Sequence, residues 1–103
     1  MIIVTGTARF GEGEIERLRT ALAENVAATW AEAGCSHYAY AVDISDPNLL
    51  HVTEWWEDQA AMKAHMETPH MAKLMATLGE ARIEGLSIKA YDAEFRGNVL
   101  GSD

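Results

Sequence analysis

The stretch CSHYAYAVDISDPNLLHVTEWWE, residues 35–57, decides the fold. It contains two runs rich in apolar, aromatic and β-branched residues, which are typical of β-strands. Between them lie residues 45–48, whose composition favours a turn and includes Pro47 with its fixed φ. The stretch therefore predicts an antiparallel hairpin with residues 45–48 as its connection and Ile44 opposite Leu49.

This register divides the side chains of the hairpin between two faces, because successive residues of a strand point to opposite sides of the sheet. One face is expected to hold Tyr38, Tyr40, Val42, His51, Thr53 and Trp55. The other is expected to hold His37, Ala39, Ala41, Val52, Glu54 and Trp56. The second face combines small residues of one strand with large and ionisable residues of the next, so we expect it to leave space for a ligand. A shift of one residue would change this assignment.

Patterns on either side of the hairpin supply the remaining elements. Residues 2–10 and residues 85–95 read as strands. From Glu14 to Gly34, apolar residues recur at helical spacing, and the glycine can end the helix. Asp58 is a suitable N-cap for a second helix, and Pro69 breaks or kinks that helix and starts a further helical segment.

The resulting order, β-α-β-β-α-β, predicts a ferredoxin-like α+β fold with a four-stranded antiparallel sheet and helices on one face. We expect a single domain at residues 1–96 and a C-terminal tail at residues 97–103. The other sheet face, expected to carry Tyr38, Tyr40 and Trp55, is too aromatic to be left in water by a soluble monomer. We therefore expect a homodimer in which two sheets pack face to face.

Composition excludes several classes of partner. The formal net charge of −8 disfavours nucleic acid and anionic membranes, which both need a basic surface. No apolar run approaches the roughly 20 residues of a membrane helix. The single cysteine, Cys35, cannot form an internal disulfide and fits a reducing compartment. The N-terminal residues lack the features of a signal peptide, and we expect a cytoplasmic protein.

The candidate site residues lie in and beyond the third strand. His65 is on the inward stripe of its helix, where it is either a core histidine with one hydrogen bond or a general base. Glu54 is a mid-strand carboxylate that needs a partner, so it either holds a structural donor or serves as a base or orients one, such as His65 or His37. Trp56 is either core or the wall on which a planar ligand stacks, and Met62 lies near it.

No metal or cofactor motif is evident. His65 and His70 are five residues apart, roughly 140° around one helix, and do not form a metal-binding pair of the His-x-x-x-His type. A site composed of His37, His51 and Glu54 is disfavoured, because the predicted faces separate His51 from the other two. Phosphate-binding, nucleophile-elbow and dinucleotide motifs are absent. The sequence therefore predicts neither a cofactor nor a bound metal.

A set of short motifs carries a family resemblance. In chain order they are Gly34-Cys35-x-x-Tyr38, Asp46-Pro47, Glu54-x-Trp56 with Ala61 and His65, and Thr68-Pro69-His70. Together they resemble the antibiotic biosynthesis monooxygenase family over roughly residues 2–95. The resemblance implies the dimeric α+β barrel fold. It also implies one of several activities: cofactor-independent oxidation of quinols or aromatic polyketides, haem degradation, or processing of a bacterial signalling molecule.

The resemblance also assigns roles by position. Trp56 matches a tryptophan that lines the substrate pocket of aromatic-oxidising members, and His65 matches the histidine of their second helix. Met62 stands where one such member has a tyrosine, so that polar contact is missing here. Thr7, His65 and about Met75 stand where haem-degrading members have asparagine, tryptophan and an axial histidine, and these three departures argue against haem degradation.

The sequence therefore favours a cofactor-independent monooxygenase that oxidises a small phenolic or quinol-like substrate with dioxygen. His65 would be the catalytic base, with Glu54 or His37 as its partner. Trp56, His37 and Met62 would contact the substrate. Two alternatives remain: a small-molecule binding domain without turnover, and an isomerase or degradative enzyme for a small polar metabolite. Methionines and tryptophans favour a planar apolar ligand, whereas the ionisable residues favour a ligand with oxygen atoms.

Overall fold

The computed structural model describes residues 1–102. Its elements, in chain order, are β1 (Ile2–Phe10), α1 (Glu14–Trp30), β2 (Cys35–Asp43), β3 (Asp46–Trp56), α2 (Gln59–Met66), α3 (Pro69–Leu78) and β4 (Ile83–Asp92). The four strands form one antiparallel sheet in the order β2-β3-β1-β4, and the helices cover one face. The predicted ferredoxin-like α+β fold is confirmed. No helix among the described residues is long and apolar enough to span a membrane.

The helices begin where the sequence predicts. The Asp58 side chain accepts a hydrogen bond from the backbone N–H of Ala61 at the start of α2, at 2.8 Å. Thr68 caps α3 in the same way, and Pro69 occupies the first helical position. The chain turns between the two helices because Pro69 cannot continue α2. The first helix ends at Trp30, four residues before Gly34, which instead adopts a positive φ in the loop before β2.

The predicted register of the hairpin was wrong by one residue. Strand β3 already begins at Asp46, and the connection is the residue pair 44–45. The Asp43 carboxylate accepts from the backbone N–H of Ser45, and the Asp46 carboxylate accepts from that of Asn48. Because of these local turns, residues 47–49 form an irregular part of β3. The regular pairing resumes with Val42 opposite Leu50.

The corrected register also reassigns the faces of the hairpin. Tyr38 pairs with Glu54 and Tyr40 pairs with Val52, so both tyrosines share the helix-covered face with Trp56. Tyr38 retains only 2% of its accessible surface. The expected grouping of these tyrosines with Trp55 on the uncovered face was therefore wrong, and so was the expected grouping of Ala39 and Ala41 with Glu54.

The uncovered face carries a smaller aromatic group. The His37 ring lies on the Trp55 ring with centroids 4.5 Å apart, and the edge of Trp30 approaches the same histidine at 6.0 Å. Trp55 is 40% exposed. On β4 of the same face, Tyr91 is half exposed opposite Ile3. His37, Trp55 and Tyr91 accordingly lie in one row across this face.

Substituting Gly34 by alanine should destabilise the fold more than the same change at Gly13. Both glycines have a φ near 80°, where an L-residue costs about 1–2 kcal/mol. A Cβ at Gly34 would also meet the Ala61 Cβ at 2.6 Å, whereas a Cβ at Gly13 would meet nothing within 4 Å. We expect Gly34→Ala to cost about 1–3 kcal/mol more than Gly13→Ala in urea denaturation. Equal losses would show that α2 does not pack tightly on this loop.

Candidate active site

A large apolar cavity lies between the helix-covered sheet face and helices α2 and α3. Its volume is about 640 Å³. Four of the five methionines in the chain line it: Met62, Met66, Met71 and Met75. Methionine is flexible and polarisable, so a wall of this kind adapts to ligands of different outline. The cavity can therefore accept a small apolar molecule.

The cavity opens along strand β4. Leu86 and Ile88 belong to its wall, yet they are 66% and 42% exposed. Lys89 of the same strand also borders it. Strand β4 is an edge strand of the sheet, and its one partner among the described strands is β1. A ligand can consequently enter from the β4 side, while α1, β2 and β3 close the other side.

Glu54 is the carboxylate in the wall of this cavity. Its Oε1 accepts a hydrogen bond of 2.9 Å from the indole N–H of Trp56, which lies two residues away on the same strand face. Only 8% of Glu54 is exposed. Burial raises the pKa of this carboxyl above its ordinary value of 4.5, and the hydrogen bond from Trp56 offsets part of that rise. Glu54 is thus able to hold a proton at a higher pH than a surface glutamate.

Trp56 and His65 form a layer behind the cavity. Both are fully buried, and their ring centroids are 4.7 Å apart. Nδ1 of His65 lies 2.7 Å from a carboxylate oxygen of Glu32, while its Nε2 has no partner within residues 1–102. A hydrogen bond to Glu32 places the proton on Nδ1 and leaves Nε2 with its lone pair. Glu32 therefore fixes the orientation of His65, which in turn supports the indole that binds Glu54.

A pair of tyrosines supplies the other polar part of the wall. The hydroxyl oxygens of Tyr38 and Tyr40 are 2.6 Å apart, and the amide of Asn25 donates to both, at 3.2 and 2.9 Å. Burial raises the pKa of both hydroxyls, so both stay neutral at ordinary pH. The pair has two hydroxyl hydrogens and uses one between its own oxygens. The other is free to donate to a ligand oxygen or to Oδ1 of Asn25, which has no partner among the described residues.

Sequence reasoning missed Asn25, although a signal for it exists. The buried residues of α1 are Ile15, Leu18, Leu22, Asn25 and Thr29, at alternating spacings of three and four. Two polar residues therefore continue an apolar stripe, which indicates buried hydrogen-bonding groups. The apolar spacing in the sequence continues instead through Val26 and Trp30, but Trp30 is about half exposed.

The structure brings together only part of the predicted site. Glu54 and Met62 line the cavity, while Trp56 and His65 lie behind its wall. His37 projects from the opposite sheet face and stacks on Trp55, so it cannot contact a ligand in this cavity. The wrong register placed it with Glu54. Sequence reasoning also proposed His37 or Glu54 as the partner of His65, whereas the carboxylate bound to His65 is that of Glu32.

A four-stranded α+β fold with an apolar cavity and a buried carboxylate defines a small-molecule-binding protein of the ferredoxin-like class. The chain belongs to the antibiotic biosynthesis monooxygenase family, whose model matches residues 1–77. Among curated proteins, none matches this chain in sequence.

Solved structures extend the likeness over the whole domain. A protein from Deinococcus radiodurans that carries the family name is 31% identical, with a TM-score of 0.89 over 98% of this chain and 100% of its own. A Pseudomonas aeruginosa protein is 29% identical, with a TM-score of 0.81 over 91% of this chain and 94% of its own. One from Nitrosomonas europaea with the same family name is 19% identical, covers 92% of this chain and 100% of its own, and has a TM-score of 0.86. At that identity it supports the fold alone.

The pKa of Glu54 should appear in the pH dependence of stability. Because the folded state holds this proton more tightly than the unfolded state, its contribution is full below the ordinary value of 4.5 and is lost as pH rises through the raised value. Glu54→Gln keeps an acceptor for Trp56 but cannot ionise. Between about pH 4 and about pH 8, the stability of the variant relative to the parent should therefore increase. The increase in the free energy of unfolding should be about 1.4 kcal/mol for each unit by which folding raises the pKa of Glu54. A difference that does not change with pH would show that Glu54 titrates normally.

Proposed function

We propose that the cavity binds a small phenolic or quinol-like molecule and that the protein oxidises it with dioxygen as a cofactor-independent monooxygenase. One observation carries this proposal: a buried carboxylate with a raised pKa, Glu54, lies in the wall of an otherwise apolar cavity. Family membership supports it, because the family is named for monooxygenases.

The cavity suits a planar aromatic ligand. Its volume of about 640 Å³ falls within the range of roughly 300–1,000 Å³ that is usual for small-molecule sites. Methionine sulfur atoms interact favourably with aromatic rings, and the tyrosine rings add an aromatic wall. A ring carrying one or two hydroxyl groups would present apolar faces to these side chains and its oxygens to the polar residues.

Glu54 is the proposed base. A phenol has a pKa of about 10, so a carboxylate removes its proton more readily when burial has raised the carboxyl pKa towards that value. The free hydroxyl hydrogen of the Tyr38–Tyr40 pair can donate to the resulting anion. His65 has the role of a positioning residue, because it contacts Trp56 rather than the cavity.

The chemistry needs no electron donor other than the substrate. A simple quinol reacts with one molecule of dioxygen to give the corresponding hydroxyquinone and one molecule of water. The substrate provides four electrons and dioxygen accepts them. One oxygen atom enters the ring, and the other leaves as water with the two hydrogen atoms that the quinol loses. The residues supply a base and a dry, orienting site, which makes the electron-rich anion available to dioxygen.

Two other functions fit the same cavity. A binding domain without turnover would use the methionine wall and keep Glu54 as a structural acceptor for Trp56. An isomerase or degradative enzyme for a small polar metabolite would use the same carboxylate but would consume no dioxygen. Oxygen consumption separates the proposed monooxygenase from both.

Oxygen uptake with a panel of quinols should detect turnover in protein stripped of metal by a chelator. Glu54→Gln should lower kcat by roughly 10²–10⁴, the usual contribution of a positioned acid–base group. Glu57→Gln is the matched control, because it removes an exposed carboxylate three residues along the chain and should leave kcat unchanged. Full activity in Glu54→Gln would exclude this residue as the base. Ligand binding with no oxygen uptake would favour the binding domain.

We also propose a homodimer through the uncovered sheet face. Its cover would be a second copy of the chain, since Trp55 and Tyr91 leave aromatic surface exposed on that face. Tyr38 and Tyr40 are not part of this interface, because they lie under the helices.

Trp55→Glu should dissociate the dimer. It would place an unpaired charge in the interface at a cost on the order of several kcal/mol. Ile44→Glu is the control, because this fully exposed residue at the tip of the hairpin lies outside the face. Light scattering should give a dimer mass for the parent and Ile44→Glu, and a monomer mass for Trp55→Glu. A monomeric parent at micromolar concentration would refute the interface.

A further inference from the structure

Outside the cavity, three ionisable side chains converge at the end of the helical layer. One carboxylate oxygen of Glu32 lies 2.7 Å from Nδ1 of His65 and 2.7 Å from Nε2 of His70. All three atoms lie within 4.8 Å of one another. His65 is buried, and the other two are partly buried. The proposed function uses Glu32 only through His65 and makes no use of His70.

The chain brings these residues together from three elements. Glu32 follows the C-cap of α1, His65 lies in the last turn of α2, and His70 lies in the first turn of α3. The hydroxyl of Thr68 donates to the carbonyl of His65 at 2.7 Å and accepts from the N–H of Met71, which fixes the bend between α2 and α3. The expectation that the two histidines diverge around one helix was wrong, because the helix breaks between them.

We propose that Glu32, His65 and His70 form a binding site for a divalent transition-metal ion of the Zn²⁺ class. Two imidazole nitrogens and one carboxylate oxygen are a ligand set that Zn²⁺ commonly uses, with a water in the fourth position. Hard ions such as Mg²⁺ and Ca²⁺ prefer oxygen ligands alone. The site is separate from the cavity wall, to which none of the three residues belongs.

The two nitrogen–oxygen distances are near those that a metal requires, and the two imidazole nitrogens lie within 4.8 Å of each other. With bonds of about 2.0–2.1 Å, ligand atoms around a tetrahedral Zn²⁺ lie about 3.3 Å apart. The nitrogen–oxygen distances of 2.7 Å would lengthen slightly as the ion replaces the two hydrogen bonds. Each imidazole would move its proton to its other nitrogen. For His65 this breaks no hydrogen bond at Nε2, since that nitrogen has no partner in the part of the chain that the structure describes.

The surrounding helices favour a cation on balance. Glu32 lies beside the C-terminal end of α1, and His65 lies in the C-terminal turn of α2, so two negative helix ends face the site. The N-terminus of α3 opposes them at His70. The carboxylate of Glu32 and the net charge of −8 add to the attraction. Low exposure limits screening of these charges by solvent.

An ion could reach the site from the surface. His70 borders a groove of about 220 Å³ between α1 and α3. About a quarter of its side chain is accessible, compared with 1% for His65. Water in this groove could complete the coordination. A bound ion would join the ends of α1 and α2 to the start of α3, directly behind Trp56.

Zn²⁺ titration of the chelator-stripped protein should show one saturable site with a dissociation constant of about 1 μM or tighter. Glu32→Gln and His70→Gln should each weaken binding by at least about tenfold. His51→Gln is the matched control, because His51 also pairs with a carboxylate, that of Asp43 at 2.8 Å, but has no second histidine. Cys35→Ser controls for the single thiol.

Cobalt substitution tests the site without any variant. Co²⁺ bound by two histidines, a glutamate and a water should give the intense visible bands of a four-coordinate ion in the parent protein. Weak bands typical of six-coordinate Co²⁺ would contradict the proposal. So would absence of saturable Zn²⁺ binding, or an affinity unchanged in both Glu32→Gln and His70→Gln while circular dichroism shows them folded.

Discussion

The hydrogen bond from the Trp56 indole to the Glu54 carboxylate is the interaction on which the rest of the structure depends. A carboxylate in an apolar wall is costly unless a donor satisfies it, and Trp56 provides that donor at 2.9 Å. The indole can do so only if it stays buried at a fixed angle. Trp56 is fully buried, and the rings of Tyr38 and His65 hold it on two sides.

The need to hold the Trp56 indole in place connects the cavity to the ends of the helices. Glu32 orients His65, His65 packs on Trp56, and Trp56 binds Glu54, so a change at the ends of the helices would reach the carboxylate through direct contacts. The two halves of the wall differ in character. The helical half is made largely of methionines, which adapt, while the sheet half holds polar groups in fixed positions on strands. Such a cavity can accept related ligands yet present the same carboxylate to each.

The sequence predicted the elements of the fold because they depend on local patterns. Helical spacing in α1, the cap at Asp58 and the proline at position 69 all act within a few residues. The hairpin register depends on side-chain hydrogen bonds of Asp43 and Asp46, which compete with the regular ladder. Composition predicted a turn in this region but not the number of residues in it. The resulting error of one residue in the register placed His37 on the wrong face of the sheet.

The candidate site was predictable only in part, for a related reason. Glu54 and Trp56 are two residues apart on one strand, so any register places them on the same face. The contact of Glu32 with His65 and His70 joins residues 33 and 38 positions apart in the chain. Sequence periodicity cannot predict such a contact, because it arises where the loop after α1 meets α2 and α3. Partners of this kind become visible only in three dimensions.

The most direct test of this account is the titration of the Glu54 side-chain carboxyl, followed by its ¹³C chemical shift. The account predicts a midpoint above the ordinary value of 4.5. It also predicts a higher midpoint in Trp56→Phe, since the hydrogen bond that favours the charged form is then lost. A midpoint at or below 4.5 in the parent protein would contradict it, because Glu54 would then be a solvated carboxylate with no special capacity to take a proton from a ligand.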